Sequence, residues 1–345
     1  MIWLIFMKTL YLWSIKSIMK NTILILVLIS LFSCNHNTIE RFNPLGEIPL
    51  PDSTLFTAQN IELGRKMFFD TRLSLDNKVS CATCHKPEYA FADKAPVTLG
   101  VRARQGSRNA PSLMNVGYLP HMMAEGMVKS LEMQMLDPLQ DETEMSMDLN
   151  QLVNKLKTDS FYVQQAKEIY GRELDMFVVT RAISAYQRTL ISNHSAFDQY
   201  YYHKDDKAIS SSAKRGWKLF SEELYCTECH TPPMFTNFDL ANNGLYVSFQ
   251  YTDKGKFRAT LDTNDMAKFK IPSLRNVTLT APYMHNGQFF TLKQVLENYK
   301  QGGAGHFNQS PIIQPFTLTQ NQEDDLIHFF ETLVDTVSHK TNQLQ

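Results

Sequence analysis

From Gln59 to Asp70 the apolar residues Ile61, Leu63, Met67 and Phe68 recur at helical spacing, which predicts an amphipathic helix. The string inside it, Leu63-Gly64-Arg65-Lys66-Met67-Phe68, has a counterpart in Arg215-Gly216-Trp217-Lys218-Leu219-Phe220. Each string predicts a helix with a glycine on one face, and two copies suggest a weak internal repeat and a close helix–helix contact. A glycine merely tolerated in a helix is the plainer alternative. Asp148–Ile169 (Leu149, Leu152, Val153, Leu156) and Glu173–Ser192 (Phe177, Val178, Ile183, Tyr186) predict two further amphipathic helices. Leu292–Tyr299 and Glu323–Leu333 predict closing helices. Stretches alternating with period two are few, so the fold is expected to be mostly α.

The polar intervals divide the chain. Pro44, Gly46, Pro49 and Pro51 make residues 35–56 a tether with an extended lead-in. Ser195–Ser212 is polar and tyrosine-rich, and the expected domain boundary falls there. Asn237–Lys268, rich in Asn, Asp, Gly and Thr, reads as irregular loop. A length of 345 residues allows two domains with separate cores. The expected organisation is a leader over 1–33, a tether over 34–57, one domain over 58–205 and a second over 206–340.

Charge narrows the function. The net charge is −1 and no Lys/Arg run or stripe occurs, so nothing points to a nucleic-acid partner. At the N-terminus, Lys20 precedes the apolar run Thr22–Phe32 and then Ser33-Cys34, the layout of a signal peptide. The run is too short for a membrane-spanning helix, which needs about 20 residues. Met7 and Met19 are alternative starts. Leu31-Phe32-Ser33-Cys34 is similar to a bacterial lipoprotein processing site, although Phe32 is bulkier than usual there. On that reading Cys34 is the lipidated first residue; on the plainer reading it is a leftover thiol behind a secretory signal. Either predicts export. A chain from Cys34 loses Lys8, Lys16 and Lys20, giving 31 − 35 = −4.

The candidate chemistry lies in Cys81-Ala82-Thr83-Cys84-His85 and Cys226-Thr227-Glu228-Cys229-His230. In a C-x-x-C-H string two thiols bond covalently to the haem vinyl groups and the histidine becomes the proximal iron ligand. Two residues between the thiols let one turn of backbone span the macrocycle edge. Two copies consume four of five cysteines, which makes the signal strong. Structural zinc or paired disulfides are the alternatives, but neither requires a histidine after each cysteine pair. The expected protein is a di-haem c-type cytochrome.

Several ordered strings then resemble the bacterial di-haem cytochrome c peroxidase superfamily, which includes the MauG-type enzymes. They are Arg108–Leu113, Leu131-x-x-Gln134, Asp137-Pro138-Leu139, Glu144-Met145, Lys270–Val277 and Leu279–Gly287, and the match spans about Ile61 to Leu333. The resemblance implies two tandem cytochrome domains, with a calcium ion and the haem propionates near their interface. It assigns peroxide chemistry to the haem on His85 and electron transfer to the haem on His230. It also assigns calcium to the Asn109 side chain and the Thr280 and Pro282 carbonyls, oxygen ligands that suit a hard cation. Read alone, Asn109 is a turn residue. Glu144 matches the distal acid, which would carry a proton between the peroxide oxygens, and Gln134 would orient peroxide or water beside it. A solvated turn is the plainer reading of Asp141, Glu142 and Glu144, with Glu142 the fallback acid.

Three departures from the family pattern shape the expected function. Val101 stands where the family places a histidine that caps the peroxide-reacting iron, which predicts an open site; His121 is the substitute to consider. Tyr299 stands where peroxidases carry a distal methionine, as in MauG-type enzymes, and a phenolate lowers the potential relative to a thioether. Met284 is the rival ligand, or a packing residue. Ala124 stands where an inter-haem tryptophan is usual, with Met122, Met123 or His121 to fill the gap. The methionines around it are mainly core filling. The expected function is a periplasmic peroxidase that reduces hydrogen peroxide with electrons from a small cytochrome c or cupredoxin. The alternatives are a MauG-type oxidase of protein side chains and a non-catalytic electron carrier. The resemblance also raises a homodimer.

Overall fold

The computed structural model describes residues 43–247 and 253–335. The leader, Cys34 and the start of the tether lie outside the described residues. In chain order the longer helices are α1 (Ala58–Phe68), α2 (Leu149–Leu156), α3 (Ser160–Tyr170), α4 (Met176–Arg188), α5 (Ala196–Tyr201), α6 (Ser211–Lys218), α7 (Leu292–Lys300) and α8 (Gln320–Glu331). Sheet is limited to β1 (Leu240–Ala241) antiparallel to β2 (Phe269–Lys270). Helices dominate, as the periodicity predicts.

Two helix crossings organise two cores. In the first, α1 lies against α4, and Leu63, Met67 and Phe68 are buried among Val178, Val179, Ala182 and Tyr186. In the second, α6 lies against α8, and Phe220 packs with Phe235, Leu326 and Phe329. A side chain at Gly64 would overlap the Ala182 carbonyl, and one at Gly216 the Asp325 carbonyl. Both glycines therefore permit backbone-to-backbone contact that even a methyl group would block. The glycine strings mark two equivalent crossings.

Two expectations about elements need correction. Asp148–Ile169 is two helices rather than one, broken at Lys157–Asp159. Asp159 accepts from Phe161 N at 3.0 Å to cap α3, and Arg72 pairs with the same carboxylate. Apolar spacing continues across this break, so periodicity alone does not show it. Ser195–Ser212 also opens with α5 rather than with polar linker. Phe197 is fully buried in the second core, ahead of the expected division at 205/206.

Asp198 on α5 forms a fully buried pair with Arg275, with both oxygens accepting at 2.8 Å. Arg108 reaches from the first haem string's side to Asp253 and also holds Glu125. Among the described residues no helix is long and apolar enough to cross a membrane.

Candidate haem sites

Cys81–Cys84 forms one helical turn, and His85 N donates back to Cys81 O at 2.9 Å. The ring is then fixed by its other nitrogen, with Nδ1 3.0 Å from Phe91 O and 3.1 Å from Pro111 O. Two carbonyl acceptors require Nδ1 to carry the proton, which leaves Nε2 with its lone pair. That is the tautomer an iron ligand needs. The second string repeats every step. His230 N donates to Cys226 O at 2.9 Å, and Nδ1 lies 3.1 Å from Phe235 O and 3.2 Å from Pro272 O. All four cysteines are free thiols, and burial pushes Cys81, Cys84 and Cys226 up to about 12. Histidines already oriented by carbonyls, each directly after a buried cysteine pair, fit covalent haem attachment.

The duplication extends beyond the strings that first suggested it. Pro111-Ser112-Leu113-Met114-Asn115-Val116 and Pro272-Ser273-Leu274-Arg275-Asn276-Val277 share five residues of six at a constant offset of 272 − 111 = 161. This repeat was legible in the sequence. Ser112 Oγ donates to Ala90 O at 2.5 Å and Ser273 Oγ to Met234 O at 2.6 Å. Those contacts steady the turns before Phe91 and Phe235, whose φ values of 57° and 54° aim their carbonyls at the histidines. Asn115 and Asn276 likewise share φ 61°. Each half builds its histidine support from the same parts.

Glu144 lies near the first cysteine pair, close enough for its charge to act on both Cys81 and Cys84. Burial, with Asp141 and Asp137 adding repulsion, pushes its carboxyl up to about 7. The fallback Glu142 is exposed, and its carbonyl accepts from Arg104 at 2.9 Å. Val101 is fully buried and its N donates to Glu144 O at 2.7 Å. Gln134 ends a short helix, and its Nε2 approaches Met123 Sδ at 3.7 Å. His121 Nδ1 is buried without a hydrogen-bond partner among the described residues, while the His121 carbonyl accepts from Lys270 Nζ at 3.3 Å.

In the second half Tyr299 on α7 is close enough to Cys229 and Cys226 to feel their charge. Burial raises its phenol above the ordinary range, and a hydrogen bond from the Asn243 side chain opposes that rise. Met284 lies alongside, its Sδ 3.4 Å from Asn243 Nδ2. Both candidate ligands therefore share one neighbour, Asn243, which no motif in the sequence singles out. It lies within Asn237–Lys268, where composition signals only loop.

Beside Ala124, Lys270 N donates to the Ala124 carbonyl at 2.7 Å, and the adjoining Phe269 stacks on His285 at 4.1 Å. Residues of the second half thus lie beside Ala124, and Met122 is buried in the first core. Asn109 N donates to His285 O at 2.8 Å and its Nδ2 to Ala95 O at 2.8 Å. Asn109 is thereby linked to the Thr280–His285 loop. Among the described residues no cluster of three or more His, Cys, Asp or Glu could hold a metal ion. A cation at Asn109 would rest on neutral oxygens.

Comparison with known proteins agrees with this geometry. The family model described as di-haem cytochrome c peroxidase matches residues 58–207. The methylamine utilization protein MauG of Methylorubrum extorquens is 33% identical over 85% of this chain and 83% of its own length. The cytochrome-c peroxidase IdrP1 of a Pseudomonas species is 31% identical, with 84% of each chain covered. Among solved structures, a MauG-like protein associated with microbial copper homeostasis superposes with a TM-score of 0.80 at 28% identity. That match covers 89% of this chain and 97% of the other.

Proposed function

The chain belongs to the di-haem cytochrome c peroxidase family, and from that membership we propose that it reduces hydrogen peroxide to water in the periplasm. The family implies two c-type haems, which when bound supply the iron chemistry and pass electrons from a small cytochrome c or cupredoxin. Each turnover takes one peroxide, two electrons and two protons to two waters.

The observation that carries the proposal is the pairing of Glu144 with Val101 beside Cys81 and Cys84. A carboxyl near 7 can accept a proton from peroxide and return it to the departing oxygen, because neither direction is strongly uphill near neutral pH. Valine offers no lone pair, so this face stays open to peroxide. Gln134 lies in the same pocket, its amide oxygen available to orient peroxide while its nitrogen faces Met123. His85 and His230 would hold the two haem irons through Nε2, and Tyr299 would be the second protein ligand of the second iron.

Tyr299 also favours a second reading, a MauG-type oxidase that uses peroxide to take electrons from a partner protein's side chains. A phenolate stabilises the oxidised second haem, which suits storage of oxidising equivalents over rapid electron supply. Turnover with a reduced small cytochrome distinguishes the two. Sustained peroxide consumption supports the peroxidase, whereas a spectral response to peroxide without turnover supports the oxidase.

Further assignments complete the proposal. The Asn109 side chain and the carbonyls of Thr280 and Pro282 would hold a calcium ion, a hard cation that oxygen ligands suit. Two domains, one for each haem, divide before α5, since Phe197 already lies in the second core, and Cys34 carries the lipid that tethers the mature chain to a membrane. A homodimer completes the expected assembly.

A further inference from the structure

Asn243 is held by backbone on both sides. Before it, β1 ends at Ala241, paired with Phe269. The Asn242 carbonyl accepts from Ser310 N at 2.9 Å, and its side-chain oxygen accepts from Gly244 N at 2.9 Å. After it, the Gly244 carbonyl accepts from Ala304 N at 2.7 Å. Gly244 has φ +68°, and Gln309 fills the space a side chain there would need. The loop bearing Asn243 is therefore fastened to residues 304–310, which follow the helix carrying Tyr299. The amide is placed by the fold, and its neighbours adjust to it.

Its neighbours are the two side chains that compete for the second iron. Asn243 Nδ2 lies 3.4 Å from Met284 Sδ, and the same side chain hydrogen-bonds Tyr299. A carboxamide nitrogen has two N–H donors, enough to serve both neighbours. The effects are opposite. An N–H directed at a thioether draws on the sulfur's electron density and holds the Met284 side chain toward the Asn243 loop, so ligation by Met284 competes with that contact. An N–H directed at a phenol oxygen supports the charge that a phenolate ligand carries.

The other half contains the sulfur contact alone. Gln134 Nε2 approaches Met123 Sδ at 3.7 Å. Met123 and Met284 are related by the offset 284 − 123 = 161 and share left-handed backbone, at φ 64° and 71°. A carboxamide holding a methionine sulfur thus recurs in both halves, and the contact to a tyrosine is added only in the second.

We propose that Asn243 is the positioning residue that selects Tyr299 over Met284 as distal ligand of the second haem, holding the thioether with one N–H and supporting the phenolate with the other. The inference rests on the assignment of Tyr299 as that ligand. Loss of such an outer partner weakens a ligand's hold on its metal by roughly 10- to 100-fold.

The test uses the purified di-haem protein without peroxide. The readouts are the second haem's reduction potential and the optical and paramagnetic signatures of its distal ligand. Asn243→Leu keeps the side-chain size and removes both donors. The expected result is a raised potential and a new population with thioether ligation, which disappears when Met284→Leu is added. Met284→Leu alone, which remains informative if Asn243→Leu fails to assemble, is expected to leave potential and ligand signature unchanged. A shifted ligand signature in Met284→Leu would overturn the inference, as would an unchanged potential and signature in Asn243→Leu at full haem content. Tyr299→Phe separates the role of Asn243 from the ligand assignment beneath it. If Tyr299→Phe leaves the signature unchanged, the assignment of Tyr299 fails and the inference fails with it. If Tyr299→Phe alters the signature but Asn243→Leu does not, only the role of Asn243 fails.

Discussion

At the residue scale, the proposed mechanism divides the work of the first site between Glu144, a group that moves protons, and Val101, one that cannot bind iron. Replacing Glu144 with Gln keeps the shape and removes the base, so the peroxide reaction should slow by roughly 10²- to 10⁴-fold with haem content intact. Stopped-flow mixing with peroxide measures this, and an unchanged rate would remove Glu144 from the mechanism. The pH profile has a definite sign. Below about 7 the carboxyl holds its proton and cannot take another, so the rate should rise with pH through that value and then level off. Glu144→Gln should flatten the rise. The converse substitution, Val101→His, adds an imidazole on a segment whose backbone is bonded to Glu144. It should close the site and suppress the reaction of the fully oxidised protein. Retention of wild-type kinetics by that variant would show that Val101 does not keep the face open.

At the scale of elements, the sequence shows the two turns that hold haem and the glycine at each helix crossing, because covalent chemistry and close packing restrict residue type. Apolar spacing locates α1, α4, α7 and α8 within a few residues. It does not show the cap at Asp159, since a helix break in the middle of an amphipathic stretch leaves the apolar stripe nearly intact. It misses Asn243 for a related reason: an asparagine in an Asn-rich loop looks like turn chemistry until the chain places it between Tyr299 and Met284. The crossings make a quantitative prediction. Gly64→Ala and Gly216→Ala each drive a methyl group into a facing carbonyl, and each should cost about 1–3 kcal/mol or more. Urea unfolding of the haem-loaded protein measures the loss. Equal stability of both variants and the parent would mean that the helices can separate without cost.

At the scale of the whole molecule, the repeated histidine supports make two copies of one unit, which on the proposed assignment have diverged at the faces where their haems would be exposed. In the proposed mechanism the first keeps Glu144 beside an open position, and the second offers Tyr299. The second core depends on Asp198, whose carboxyl is fully buried against Arg275. Burial alone would raise that carboxyl, but the Arg275 guanidinium and Ser195 outweigh it and hold it below the ordinary range. Because the folded value lies below the unfolded one, the pair's stabilisation is present above about pH 4 and is lost as pH falls through the folded value. Asp198→Ala leaves a buried guanidinium unpaired and should cost about 3–5 kcal/mol, seen as a lower thermal midpoint at neutral pH. A midpoint equal to that of the parent would mean that solvent reaches Arg275.

The proposed peroxide chemistry requires that the first haem face be open in the resting, fully oxidised protein and that Glu144 act there. The most direct measurement is steady-state peroxide turnover started from the fully oxidised enzyme, with a reduced small cytochrome added last. Turnover is expected at full rate within the first seconds, and pre-reducing the second haem should bring no gain. A lag that pre-reduction abolishes would contradict this mechanism, by showing that a ligand must leave the first iron before peroxide can enter.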